Sequence, residues 1–153
     1  MGVGEISPKE NRYPYVANSL NNLAGLYKSQ GRYEDAETLF QQALTLRQEI
    51  LGVGETSLKE NRHPDVATSL NNLAFLYYSQ GRYEAAEPLY QQALQIWMST
   101  VGENHPHTQS VKVSLIVMKL QSLTGLDAAV IKQMIQNDPD NLIEMLRQIM
   151  GKE

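Results

Sequence analysis

The chain contains the same sequence twice. When residues 2–51 are laid over residues 52–101, 33 of the 50 aligned positions carry the same residue. A unit that recurs at a fixed period is a supersecondary element that cannot bury its apolar side alone, so neighbouring units stack and share a core. The repetition therefore predicts a solenoid, and it indicates that the function lies on the stacked surface, where such proteins hold other proteins.

Each copy has the pattern of two helices. In the first copy a helix is predicted from about Pro14 to Ser29, because apolar residues recur there every three or four positions, the spacing of one helix face. Gly31 can adopt the left-handed conformation that ends a helix, so a second helix is predicted to begin near Tyr33. Gly81 and Tyr83 repeat this signal in copy two. The predicted apolar positions are Val16, Leu20, Leu23, Ala24 and Tyr27, then Ala36, Leu39, Phe40, Ala43 and Leu44, and in copy two Ala86, Leu89, Tyr90, Ala93 and Leu94.

Large, small and aromatic residues follow one another in the same order in both copies. This order resembles the tetratricopeptide repeat, and the shared blocks LNNLA, SQGRYE and QQAL are most similar to the subclass found in kinesin light chains and related bacterial arrays. The resemblance covers roughly residues 14–121 and implies an all-α fold, an α-solenoid of antiparallel helix pairs with a C-terminal capping helical hairpin. The period departs from it, since Pro14 and Pro64 are 50 residues apart, against about 34 for the basic repeat. The matching positions are Leu23, Ala24, Tyr27, Ala36, Phe40 and Ala43, and again Leu73, Ala74, Tyr77, Ala86, Tyr90 and Ala93.

The repeats define the expected organisation of the chain. Residues 1–13 copy the linker that precedes the second repeat, so the chain is expected to start within a loop, as a fragment of a longer array would. The linker itself either extends the preceding helix or forms an ordered loop. The predicted segments are a linker copy at 1–13, repeat 1 at 14–51, an extended linker at 52–63, repeat 2 at 64–101, the first helix of a third repeat at 106–121, and capping helices at 123–151.

The third unit is predicted to be covered by the C-terminal tail. Its helix, from about Pro106 to Leu120, carries apolar residues on all sides, which predicts burial on all sides. A tail helix is expected to start at Thr124 to Asp127, and a second one to follow Asp138 as its N-cap. Together they would form the end cap that keeps a solenoid soluble.

Trp97 supports this placement of the tail. It occupies the position of Arg47 in the first copy. In copy one we expect this position to tolerate a solvent-facing charge, whereas in copy two we expect it to be covered. The tail hairpin is therefore expected to pack near the third helix and Trp97. The same residues fit a homodimer interface, and this alternative stays open.

Composition bounds the partners and the compartment. The chain has no cysteine, which excludes disulfides and thiolate metal sites and is compatible with a cytoplasmic location. Seventeen acidic residues against thirteen basic ones leave no basic stripe for nucleic acid. No apolar run approaches the roughly 20 residues of a membrane-spanning helix, and the first residues do not form a signal peptide. A protein or peptide partner is therefore expected, without nucleic acid or membrane.

The candidates for catalysis have simpler structural explanations. The GVGE segments at 2–5 and 52–55 lack the strand and the third glycine of a phosphate-binding loop. His63 and His105 are equivalent positions in successive units, so they are expected to start helices rather than to bind a metal with His107. No nucleophile is paired with a base and an orienting group. We therefore expect no enzyme activity, no cofactor and no metal.

The resemblance does imply a binding site. In kinesin-light-chain-like repeats the first helix of each unit lines the concave groove, and its paired asparagines hold the backbone of an extended peptide; here these are Asn21, Asn22, Asn71 and Asn72. An asparagine supplies both a donor and an acceptor, so it can bind a peptide main chain of any sequence. Packing between helices is the competing explanation. The neighbouring positions, one turn away, are Asn18, Gly25, Lys28, Thr68, Phe75 and Tyr78.

Several of these neighbouring positions differ between the copies, which makes them candidates for specificity or plain surface variation. Lys28 stands alone, so we expect no preference for a free C-terminal carboxylate. Two functions are carried forward. The first is a peptide-binding scaffold module, and the second is an assembly module that self-associates through its C-terminal helices.

Overall fold

The computed structural model describes residues 13–50, 63–138 and 144. Six helices follow one another in this part of the chain: α1 Tyr13–Ser29, α2 Tyr33–Ile50, α3 Pro64–Ser79, α4 Tyr83–Thr100, α5 Pro106–Thr124 and α6 Ala128–Asn137. The chain divides into two compact units, Met1–Val111 and Lys112–Glu153. The predicted linkers at 1–12 and 51–62 and the tail helix after Asp138 lie outside the described residues.

Each repeat is a pair of antiparallel helices joined by a tight turn. Gly31 has φ of 74° and Gly81 of 72°, the left-handed conformation that the sequence predicted for both. The Arg32 amide donates to the Tyr27 carbonyl (2.9 Å) and the Gly31 amide to the Lys28 carbonyl (3.0 Å), and the second turn repeats both bonds. This hydrogen-bond pattern satisfies the last carbonyls of α1 and α3 and reverses the chain.

Small residues allow the paired helices to approach closely. In the first repeat Ala17, Ala24, Ala36 and Ala43 are fully buried, with Phe40 beside them. The second repeat buries Ala67, Ala74, Ala86 and Ala93 with Tyr90 in the same way. Since α2 also packs on α3, the two pairs stack into one unit, and the predicted all-α solenoid of antiparallel helix pairs is confirmed.

Two of the predicted core positions in α1 are not in the core. Val16 and Leu23 are exposed, whereas Val66 and Leu73, their equivalents in α3, are buried. Periodicity identifies an apolar face, but burial also needs a neighbouring element to cover that face. For α3 this neighbour is α2.

Histidine and aspartate side chains start the later helices. His63 is the N-cap of α3, where its Nδ1 accepts from the Asp65 amide (3.1 Å). His105 Nδ1 accepts from the His107 amide (3.2 Å) at the start of α5. Asp127 caps α6 through its carboxylate, with a 2.7 Å bond from the Ala129 amide. The tail helix therefore begins at the end of the predicted stretch from Thr124 to Asp127, while Thr124 itself ends α5.

In the second unit α6 covers part of α5. Val117, Leu120 and Ile131 form its buried cluster, which agrees with the predicted role of the first tail helix. The prediction that α5 is buried on all sides is wrong, because Ile116 is exposed. Within the described ranges no single helix is long and apolar enough to cross a membrane.

Candidate functional site

Asn21 joins the first helices of the two repeats. It is buried, and its Nδ2 donates to the Ala17 carbonyl (3.1 Å) and to Ser69 Oγ (3.4 Å). Asn72 Nδ2 in turn donates to Asn21 Oδ1 (3.5 Å). Packing between helices therefore uses Asn21, while Asn22 is exposed and Asn71 and Asn72 are half-buried.

A row of aromatic side chains in the second repeat is contacted by a lysine of the first repeat. Phe75, which is 46% exposed, stacks with Tyr78 at a centroid distance of 6.2 Å. Tyr78 lies 5.9 Å from Tyr83. Lys28 Nζ sits 3.4 Å from the centre of the Phe75 ring, in the range of a cation–π interaction. We call Lys28, Phe75, Tyr78 and Tyr83 the aromatic row.

The aromatic row brings together predicted residues and adds one. Lys28, Phe75 and Tyr78 are positions where the two copies differ, and burial lowers the pKa of Lys28. Tyr83 was missed, because it belongs to the shared SQGRYE block and the sequence assigns it only to the turn. The sequence did contain one signal for this contact, because Tyr83 follows Tyr78 by five residues across that turn.

The remaining predicted groove residues differ in their accessibility. A Cβ atom at Gly25 would meet nothing within 4 Å, so this stretch of α1 borders open space. Thr68 uses its hydroxyl to donate to the Pro64 carbonyl (3.0 Å). Asn18 is exposed, and its Oδ1 accepts from Arg47 Nη2 (2.6 Å).

Arg47 corrects a prediction. It is only 7% exposed, so it does not occupy a solvent-facing position. Its Nη1 donates to the Asp65 carbonyl (2.6 Å) and to Ser69 Oγ (2.8 Å), which ties α2 to the next repeat. Burial lowers the pKa of Arg47, which opposes the charged form.

Trp97 takes the place of Arg47 at the end of the second repeat. It is buried, and its indole stacks on His107 at 4.8 Å and on His105 at 6.2 Å. That the tail hairpin packs near Trp97 stays a prediction.

A second polar network, which the sequence did not reveal, also joins the repeats. Glu37 accepts from Arg82 Nη1 (2.7 Å) and from the Tyr77 hydroxyl (2.8 Å), and Gln41 donates to that hydroxyl (3.3 Å). Burial of Glu37 raises its pKa, but the hydrogen bonds from Arg82 and Tyr77 outweigh burial and lower it overall. From the sequence, Arg82 was expected only to stabilise the turn.

The described residues include no group of three or more histidine or acidic side chains arranged to hold a metal ion.

Comparison with known proteins agrees with this geometry. The sequence profile of the tetratricopeptide repeat matches residues 16–65 and 66–107. Among solved structures, BtubC (BKLC) from P. vanneervenii is similar to the chain, with 26% sequence identity and a TM-score of 0.62 over 78% of this chain. The match covers 44% of that protein's chain, so this sequence spans less than half of it. No curated protein matches the chain.

The profile match covers more than half of the sequence, and the neighbour is kinesin-light-chain-like. Such repeats indicate a protein–protein interaction scaffold, in a family that is generally non-catalytic. The chain belongs to the tetratricopeptide-repeat family.

Proposed function

We propose that this chain is a non-catalytic scaffold module that binds an extended peptide across the exposed side of α1 and α3. The observation that carries the proposal is the aromatic row, because Phe75 is 46% exposed and is already held by Lys28 and Tyr78 before any ligand arrives. A pre-ordered aromatic surface binds with a small loss of side-chain entropy. Exposed aromatic anchors of this kind often dominate a binding interface.

Two amides are suited to hold the peptide backbone. Asn22 is exposed and Asn72 half-buried, and each offers a donor and an acceptor. Asn21 supports them from below through its bonds to Ala17 and Ser69 and its contact with Asn72. We therefore assign Asn21 to positioning, and Asn22 and Asn72 to the peptide contact.

Side-chain preference would come from the aromatic row. The exposed part of Phe75, with Tyr78 stacked beside it, would contact an apolar or aromatic peptide residue, and Lys28 lies next to them as a cation. The preferred peptide would carry an apolar residue with an acidic one nearby. A free C-terminal carboxylate should give no advantage, so amidated and free-acid forms should bind equally.

The test is a selection of peptides from a random display library on the whole chain, followed by fluorescence anisotropy with each selected peptide. The Asn22→Ala, Asn72→Ala double variant and Phe75→Gly should each weaken binding by about tenfold or more. Phe75→Gly copies the residue at Gly25, and Gln42→Ala, on the exposed side of α2, is the matched control. Selected peptides that bind all variants equally would contradict the groove, provided that circular dichroism shows folded proteins.

A second function is favoured by a different observation. Leu123 and Val130 are exposed in the second unit, where they offer an apolar contact for self-association. Light scattering on the whole chain and on a chain lacking residues 123–153 separates the two proposals. A dimer that becomes a soluble monomer on truncation would favour assembly through the C-terminal helices.

A further inference from the structure

One apolar side of α1 is exposed, although the equivalent side of α3 is covered by a neighbouring helix. Val16 is 45% exposed, Leu23 39% and Leu26 52%, with Leu20 half-buried between them. We call Val16, Leu20, Leu23 and Leu26 the head face. By helical spacing Val16, Leu20 and Leu23 point away from Gly25, whereas Leu26 lies one turn after Asn22 and borders the proposed peptide groove.

The same four residues are buried where the sequence repeats them. Val66 is 1% exposed, Leu70 3%, Leu73 4% and Leu76 0%. The residue types are identical at all four positions, so the difference arises from the neighbour, which for α3 is helix α2. Helix α2 therefore shows which kind of helix is complementary to the head face.

The polar groups around the head face match as well. At the α2–α3 contact Glu37 accepts from Arg82 and Tyr77, and the guanidinium of Arg82 lies 4.1 Å from the Tyr77 ring centre. In the first repeat the equivalent Arg32, in the turn that follows α1, lies 3.9 Å from the ring centre of Tyr27. The arrangement that receives Glu37 in the second repeat is therefore already formed in the first.

Arg32 has a replaceable partner. It pairs with Asp35 (2.6 Å) in a salt bridge whose two side chains are about half exposed, and such surface pairs are weak. The second copy has Ala85 in place of Asp35 and directs its arginine to Glu37 instead. A carboxylate brought to the head face by another helix could take the place of Asp35.

Ser19 completes the match. Its equivalent, Ser69, accepts from Arg47 of α2 (2.8 Å), and Ser19 is exposed. The head face thus has the Ser19 hydroxyl beside it near the start of α1 and the Arg32 cation beyond the end of the helix.

We propose that the head face binds an amphipathic helix of a partner protein that has the surface chemistry of α2. Such a helix carries a glutamate for Arg32 and Tyr27, a glutamine one turn later as in Gln41, an apolar residue as in Leu44, and a cation near Ser19 as in Arg47. The complementarity of charge and shape is the same one that joins α2 to α3 in this chain.

The test uses a fluorescent synthetic peptide with the sequence of residues 33–50 and the whole chain, followed by anisotropy. Saturable binding is expected, and Leu23→Asp and Leu26→Asp should each weaken it by about tenfold or more. Arg32→Glu should weaken it several-fold, and a peptide carrying Glu37→Arg should restore binding to that variant. Leu23 and Leu26 are exposed, so these variants should keep the wild-type circular dichroism spectrum.

The matched control distinguishes docking from exchange with the chain's own α2. Arg82→Glu alters the site where α2 already binds, so it should leave peptide affinity unchanged. Loss of binding in Arg82→Glu but not in Leu23→Asp would mean exchange and would overturn the proposal. An absence of peptide binding at millimolar concentration would also overturn the proposal. A concentration-dependent dimer that Leu23→Asp abolishes, without any peptide binding, would overturn it as well and would assign the face to a second copy of the chain.

Discussion

Replacing Arg47 with methionine is expected to lower the free energy of unfolding by about 2–3 kcal/mol. Methionine keeps much of the apolar volume of the side chain but removes the charge and three hydrogen bonds, to Asp65, Ser69 and Asn18. Each bond from a charged donor contributes about 1.5–3 kcal/mol, so three independent bonds would give roughly 4.5–9 kcal/mol.

Two features of the site reduce this upper value. The acceptors keep other partners, because Ser69 Oγ still receives the Asn21 amide (3.4 Å) and the exposed Asn18 can bind water. Burial also lowers the pKa of Arg47, which means that its charged form loses hydration in the folded state. The net cost should therefore be near that of one charged hydrogen bond.

Urea denaturation followed by circular dichroism measures the effect. The thermal midpoint should fall by roughly 10 °C, and Gln42→Met, an exposed substitution on the same helix, should leave it nearly unchanged. A double-mutant cycle with Ser69→Ala should give a coupling of about 1 kcal/mol. A variant as stable as the wild type would refute the reasoning, since it would mean that the loss of hydration cancels the hydrogen bonds completely.

Three further predictions concern other parts of the stack. Because the folded pKa of Glu37 lies below its ordinary 4.5, its stabilisation is present above that pH and lost as pH falls through the folded pKa. Urea midpoints below about pH 4.5 should thus fall more steeply for the wild type than for Glu37→Gln, and parallel curves would contradict the assignment. Gly81→Ala should lower the free energy of unfolding by about 1–2 kcal/mol, because the residue at this position has a φ of 72°. Gly25→Ala, in a helix with open space around it, should raise the free energy of unfolding by about 0.5–1 kcal/mol. The urea midpoints of the two variants must therefore move in opposite directions. Trp97→Arg should lower the free energy of unfolding by about 3 kcal/mol, measured by calorimetry. The position equivalent to Ser69 in the following helix is the buried Val111, whose side chain cannot accept a hydrogen bond from the arginine. A thermal midpoint equal to that of the wild type would show that the arginine reaches water.

Local sequence signals were sufficient for the helix pairs. A glycine with positive φ and a stripe of alanines act within one turn or between adjacent helices, so Gly31, Gly81 and the small core residues were predicted correctly. The exposed Val16 and Leu23 show the limit of this reasoning. Apolar spacing reports what a helix face could bury, while the neighbour that buries it belongs to another part of the fold.

The burial of Arg47 could not be predicted from its own helix. Its acceptors on Asp65 and Ser69 lie 18 and 22 residues further along the chain, and a charged residue in an amphipathic helix is normally solvent-facing. The same holds for the aromatic row. Lys28 and Phe75 were identified because the copies differ there, but their 3.4 Å contact depends on how α1 packs beside α3.

The turn inside each repeat also bears on how the length of such a chain can change over evolution. Both turns have the sequence SQGRYE, and the Gly31 and Gly81 amides make equivalent 3.0 Å bonds to Lys28 and Tyr78. Recombination between the two coding stretches would delete or duplicate one whole period and leave an unchanged turn at the junction. Repeat number can therefore change in a single genetic event without creating a new loop sequence at the junction.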